Sequence, residues 1–139
     1  MGDGRGSSVV VHLVDGTYEL FRHFLAPAAA DDRRGPAELR AVGGVVDSML
    51  RMLEGGATHL GVATDNVIES FRNALWPGYK TGEGIDPLLY AQFRPLEDAL
   101  SALGVVVWPM VDVEADDALA TAAAVAAAVR WLDRQPKRV

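Results

Sequence analysis

The sequence predicts an α/β domain, a mostly parallel sheet flanked by helices, and three observations lead there. Apolar runs recur at Val9 to Val14, His59 to Thr64 and Val105 to Trp108, each short and nearly continuous, as in strands buried on both faces. The segments between them carry helical spacing, so the order reads strand, helix, helix, strand, helix, strand, helix. The first two strands run straight into aspartates, Asp15 and Asp65, and acids follow the third. Ligands of such sheets bind at the carboxyl ends of the strands.

Each element has a local reason. Met1 to Ser8 is glycine-rich and polar, and is read as a disordered leader ahead of a domain spanning 9–139. Val9 to Val14 is the first strand, stopped by Asp15-Gly16. Thr17 to Leu25 reads as a short helix, and Ala26 to Pro36, with Asp31-Asp32-Arg33-Arg34-Gly35 inside it, as a loop. From Ala37 to Leu53 the residues Val42, Val45, Val46, Met49, Leu50 and Leu53 share one helical face, closed by Gly55-Gly56. His59 to Thr64 is the second strand. Asn66 to Asp86 has no clean period but is aromatic and basic, through Phe71, Arg72, Trp76, Tyr79 and Lys80, and long irregular loops of this kind are often functional. A helix starts at Pro87 behind Asp86 and runs to Leu103, where Gly104 caps it. The third strand, Val105 to Trp108, is followed by Asp112 to Asp117 and an alanine-rich helix ending near Asp133. Lys137-Arg138-Val139 has the look of a fourth strand beginning, so the chain is expected to be a fragment.

Composition narrows the function classes. At 139 residues and 50% hydrophobic the chain can bury a core as one domain. With no cysteine there are no disulfides or thiolate zinc sites, and no secretion signal opens the chain, so a cytoplasmic location is expected. Ala118 to Val129 is too short and too alanine-rich to span a bilayer, so no membrane partner is expected. A net charge of −6 counts against nucleic acid, whose phosphates ask for Lys and Arg. Clustered carboxylates that bind divalent cations reverse that local field. Eleven of the thirteen basic residues are Arg, which suits bidentate phosphate contacts and equally a GC-rich genome.

The chemistry centres on Val113-Glu114-Ala115-Asp116-Asp117. Three acids so close repel one another, and a cation relieves the repulsion. Alone, they are equally the acids that cap a helix and complement its dipole. Asp15 and Asp65 fall on the same edge of the sheet, although Asp-Gly and Asp-Asn are also ordinary turn formers. Together the five form an oxygen-only donor set that suits Mg²⁺ or Mn²⁺ and not zinc. Two such ions activate water and stabilise the leaving oxygen of a phosphodiester, and no general-base histidine is then required. His12 reads as a packed or edge histidine, and His23 and His59 lack the spacing of metal ligands.

These residues carry a resemblance. Val14-Asp15-Gly16 through Phe21-Arg22-His23-Phe24 resembles the opening motif of the 5′-nuclease family, which includes the amino-terminal domain of bacterial DNA polymerase I and the flap endonucleases and has a PIN-like fold. Asp65, Phe71-Arg72, Tyr79-Lys80 and Val113 to Asp117 follow in the family's order, so the resemblance covers nearly everything from Val9 to Val129. It implies a divalent-metal-dependent 5′-3′ exonuclease or flap-type nuclease. Asp15, Asp65, Glu114, Asp116 and Asp117 would hold Mg²⁺ or Mn²⁺, and Arg72 and Lys80 would contact the scissile phosphate. Arg22 is a candidate contact to the nucleic-acid backbone. The implied partner is DNA with a free 5′ end or flap, and the oligomeric state is open.

The chain departs from that pattern in places. The family's Thr-x-Asp-Lys-Asp segment, its later aspartates and its helix-turn-helix element would all lie beyond Val139. Thr64-Asp65 stands where Phe-Asp is common, and Thr81-Gly82-Glu83-Gly84 is less basic than usual. Alternatives are therefore an inactive nucleic-acid- or metal-binding fragment and a PIN-type ribonuclease. A phosphatase with an aspartate nucleophile would carry a second aspartate two residues on, where this chain has Thr17.

Overall fold

The computed structural model describes residues 9–27 and 36–133, the last three by backbone alone. The expected leader, most of the loop from Ala26 to Pro36 and the tail at Lys137 to Val139 lie outside the described residues. The elements are β1 (Val11–Asp15), α1 (Gly16–Leu25), a 3-10 turn (Ala37–Leu39), α2 (Arg40–Glu54), β2 (His59–Asp65), α3 (Arg72–Leu75), α4 (Pro87–Tyr90), α5 (Phe93–Ala102), β3 (Val106–Met110) and α6 (Ala115–Asp133). The three strands form a parallel sheet in the order β1-β2-β3. The α/β class and the order of the strands and long helices are as the sequence predicts, but the short α3 forms inside Asn66 to Asp86, a stretch expected to be irregular.

Boundaries differ where side chains do two jobs. Asp15 and Asp65 belong to their strands, and Asp15 is at once the last residue of β1 and the N-cap of α1, accepting from Tyr18 N–H at 2.8 Å. No turn separates strand from helix. β3 continues through Pro109 to Met110, which an edge strand tolerates because the missing N–H can face away from the ladder. The helix expected from Pro87 to Leu103 is broken at Ala91 and Gln92. There Gln92 is fully buried and its Oε1 accepts from the N–H groups of Ala41 and Val42, at 3.2 and 3.4 Å, while its Nε2 donates to Leu88 O. The break lets one side chain satisfy the open amides of α2.

Strand side chains alternate, and this sorts the molecule into three layers. Val14, Leu60 and Val62 face a core shared with Leu20 of α1, Val42, Val45 and Met49 of α2, and Leu96 and Leu100 of α5. Each fully buried side chain of this size contributes about 1.5–3 kcal/mol. The opposite face, with Leu13, Gly61 and Trp108, lies under α6. Alanine side chains are short, so α6 leaves an apolar groove of about 780 Å³ between itself and Val11, Leu13, Trp108 and Met110. Among the described residues no helix is long and apolar enough to cross a membrane.

Register decides where the acids go. Asp15 pairs with Ala63 and Asp65 with Met110, so Asp15, Ala63 and Asp65 share the α6 face, with Asp65 two residues further along. Gly16 permits this approach. A Cβ on it would lie 2.7 Å from Val62 Cγ1 and 2.9 Å from Thr64 Cγ2.

Candidate metal and phosphate site

At the carboxyl edge of the sheet, the start of α6 is held by a strand. Asp65 is buried, and its Oδ1 accepts from the Ala115 N–H at 2.9 Å. A carboxylate fifty residues away thus caps the helix, satisfying an amide that has no partner within it. Asp117 completes the turn by accepting from the Glu114 N–H at 3.0 Å, the reciprocal contact of a capping box. The two readings of these acids are compatible: they cap the helix and they line the edge.

The cations of the long loop come to the same place. Lys80 Nζ donates to Asp65 Oδ2 at 2.8 Å. Arg72 makes a two-pronged pair with Asp117, both bonds at 2.8 Å, and its Nη1 lies 3.5 Å from Glu114 Oε1. The Phe71 ring packs against the guanidinium, with 4.6 Å to its centroid. Ser70 donates to Glu114 Oε1 at 2.8 Å. Asn73 folds the loop back, accepting from Ser70 N–H and donating to Lys80 O. Sequence reasoning missed Ser70 and Asn73, and their only signal is their position beside Phe71-Arg72.

Asp15 and Asp116 sit on the other side of Asp65. Burial raises the pKa of Asp15, and the charges of Asp65 and Asp116 raise it further against the lowering bonds from Tyr18 and Thr17. Asp117 is held at about 2 by its bonds from Arg72 and Glu114 N–H, and the same pairing raises Arg72. For Lys80, burial lowers the pKa, but the hydrogen bond and charge of Asp65, with Glu114, outweigh it and raise the value overall. Thr17 accepts from the Asp65 N–H at 2.8 Å and so ties the start of α1 to the end of β2. The sequence reading weighed Thr17 only as an absent acid.

All five predicted acids and both predicted cations therefore gather on one edge. They divide into Asp15, which lies within reach of the charges of Asp65 and Asp116, and Glu114 with Asp117, which face Arg72. Among the described residues no three such groups converge on one point as a ready metal cage. The donor chemistry nonetheless fits a hard divalent cation: the donors are oxygen only, and burial, then the charges of Asp65 and Asp116, raises Asp15. Arg22 is elsewhere. It pairs with Glu19 on its own helix, and among the described residues no ion pair or hydrogen bond joins it to the carboxylate edge. His23 bonds Ser48, and His59 lies beside Thr58.

Residues 10–132 match the family model described as the 5′-3′ exonuclease, N-terminal resolvase-like domain. The chain belongs to this family. It is 33% identical over 114 residues to a DNA polymerase I of Mycobacterium leprae and 35% identical to that of Mycobacterium tuberculosis (strain H37Rv), 80% of the chain being covered in each case. It is 32% identical to a thermostable DNA polymerase I of Thermus thermophilus. The matched region is only 12% to 14% of the length of these relatives. No solved structure matches significantly. The family match supports a nuclease-type domain.

Proposed function

We propose that the chain is the carboxylate-bearing part of a divalent-metal-dependent 5′-3′ exonuclease or flap-type nuclease that hydrolyses phosphodiester bonds of DNA near a free 5′ end. The observation that carries this is the pairing of Lys80 with Asp65 and of Arg72 with Asp117. Phosphate-binding cations from a loop are kept against acids from a strand end and a helix start. Asp15, Asp65 and Asp116, with Glu114 and Asp117, are the residues that would hold Mg²⁺ or Mn²⁺, which would supply an activated water and a counter-charge for the leaving oxygen. Lys80 and Arg72 serve the phosphate. As nitrogen donors at this edge they would donate to non-bridging oxygens of a phosphodiester and offset charge that develops there. Half-exposed Phe71 and Tyr79 and well-exposed Trp76 present faces on which unpaired bases stack. Arg22, engaged by Glu19, takes at most a peripheral backbone contact.

The test is calorimetric titration with Mn²⁺ together with incubation of a 5′-labelled flapped DNA duplex and its RNA counterpart, with and without chelator. The expected outcome is Mn²⁺ binding, chelator-sensitive shortening of the DNA, and loss of both in Asp15→Asn. Absence of Mn²⁺ binding sinks the proposal. A second reading is a metal- and nucleic-acid-binding fragment without turnover. Binding of Mn²⁺ and DNA without cleavage selects it, and cleavage of the RNA alone selects a PIN-type ribonuclease.

A further inference from the structure

The end of β2 is gripped from the side of the sheet opposite to the site. Alternation sends Asp65 toward α6 and Thr64 toward the helical core. There it meets Glu97 of α5, which is only 7% exposed. Glu97 Oε1 accepts from Thr64 Oγ1 at 2.7 Å and from Asn66 Nδ2 at 3.2 Å, and Oε2 accepts from Asn66 Nδ2 at 3.0 Å. One carboxylate therefore holds the residue before Asp65 and the residue after it. Its neighbours on α5, Leu96 and Leu100, are fully buried, so the helix from which it reaches is itself fixed.

A buried carboxylate is costly, and a well-packed apolar group of similar size is often the more stable choice. Glu97 spends its hydrogen bonds on the two residues that flank the most central acid of the site. Asp65 accepts from Ala115 N–H with one oxygen and from Lys80 with the other. Its backbone N–H donates to Thr17. A displacement at the end of β2 disturbs all three contacts.

We propose that Glu97 is a positioning residue that holds the Asp65 carboxylate at the geometry needed for metal and for Lys80, acting through Thr64 and Asn66. The metal part of this inference rests on the proposed function; the placement of Asp65 does not. Two readouts keep them apart. The first is hydrogen exchange of the Ala115 amide, whose acceptor is Asp65. The second is Mn²⁺ affinity. Glu97→Leu removes the bonds, whereas Glu97→Gln retains them if the exposed Asn66 amide turns to offer its oxygen.

Glu97→Leu is expected to speed Ala115 exchange and weaken Mn²⁺ binding by about tenfold, in the range seen when groups supporting a metal ligand are lost, while Val45 and Met49 amides stay protected. Glu97→Gln is expected to stay near wild type in both. Should Glu97→Leu fail to fold, the pair Thr64→Val and Asn66→Ala removes the same bonds from their other ends and is expected to speed Ala115 exchange likewise. Unchanged Ala115 exchange in the bond-deleting variants overturns the proposal. Equal behaviour of the Gln and Leu variants also overturns it, since charge and not placement would then be the cause. If wild type binds no Mn²⁺, the proposed function fails, and Ala115 exchange still decides the role of Glu97.

Discussion

Asp15 is the residue where stability and function pull apart. Burial, followed by the charges of Asp65 and Asp116, raises its pKa, against the bonds from Tyr18 and Thr17 that lower it. A carboxylate that ionises at higher pH in the folded chain than in the unfolded one opposes folding when charged, and that opposition fades as pH falls through the folded value. Asn caps helices about as well as Asp. Asp15→Asn is therefore expected to raise Tm at pH 7, with the gain shrinking toward acid pH, while weakening Mn²⁺ binding; a lowered Tm at pH 7 would contradict the repulsion. Asp117 has the opposite sign. Its pKa is lowered from 3.8 to about 2, chiefly by Arg72 and then by the Glu114 amide. Its stabilisation is present above the unfolded value and is lost as pH falls through that window. Acid titrations of Tm are expected to show a loss there that Asp117→Asn lacks, and parallel curves for the two proteins would remove the role.

At the scale of elements, the junction of β1, α1 and β2 sets the distance between the first two acids. Gly16 packs directly on Val62 and Thr64, with no room for a Cβ. Gly16→Ala pushes the start of α1 away from β2 and is expected to cost about 1–3 kcal/mol, the usual penalty of overpacking, measured by urea denaturation. It also disturbs the bond from Asp65 N–H to Thr17, so Mn²⁺ affinity should fall with it. A stable variant with unaltered affinity would show that this contact does not set the site. The first turn of α6 is a second such junction. Asp65 caps it from the sheet and Asp117 from within, so the helix that carries Asp116 and Asp117 and begins just after Glu114 is anchored by Asp65.

For the whole molecule the net charge of −6 is concentrated in consequence, if not in number, at one edge. A divalent ion that binds the folded edge and not the unfolded chain stabilises by mass action, by about 2.7 kcal/mol at a hundredfold excess over Kd. Thermal scans with rising Mn²⁺ are expected to show an increasing Tm, and the increase should vanish in Asp65→Asn. A Tm that is indifferent to Mn²⁺ would count against a folded metal site. The other face of the molecule is less complete. The groove beneath α6 keeps Val125 and Val129 exposed, so Ala126→Leu is expected to fill it and stabilise the fold by roughly 1–2 kcal/mol, at about 0.8 kcal/mol for each buried methylene; denaturant midpoints check this.

The residues alone suffice for the local and periodic part: three strands, the stop at Gly104, the Asp86-Pro87 helix start, the aspartates at strand ends, and the packing face of α2 at Val42, Val45 and Met49. Burial on both faces holds only for β2, since β1 and β3 are edges and Val106 is exposed, and Leu50 and Leu53 of the expected α2 face are exposed as well. Apolar runs and capping residues act over a few positions, and a parallel sheet sends strand ends to one edge. Asp15, Asp65, Glu114, Asp116 and Asp117 were legible as candidates for that reason, whereas Arg72 and Lys80 stood out only through the resemblance to the 5′-nuclease family. Only the tertiary structure decided how they pair. That Arg72 grips Asp117, that Lys80 grips Asp65 and that Gln92 breaks a helix to cap α2 are outcomes of contacts between distant segments, whereas Arg22 stays with Glu19 on its own helix. Thr17, Asn73 and Glu97 bear no local mark, because a polar side chain shows its role only when folding brings its partner within hydrogen-bond reach.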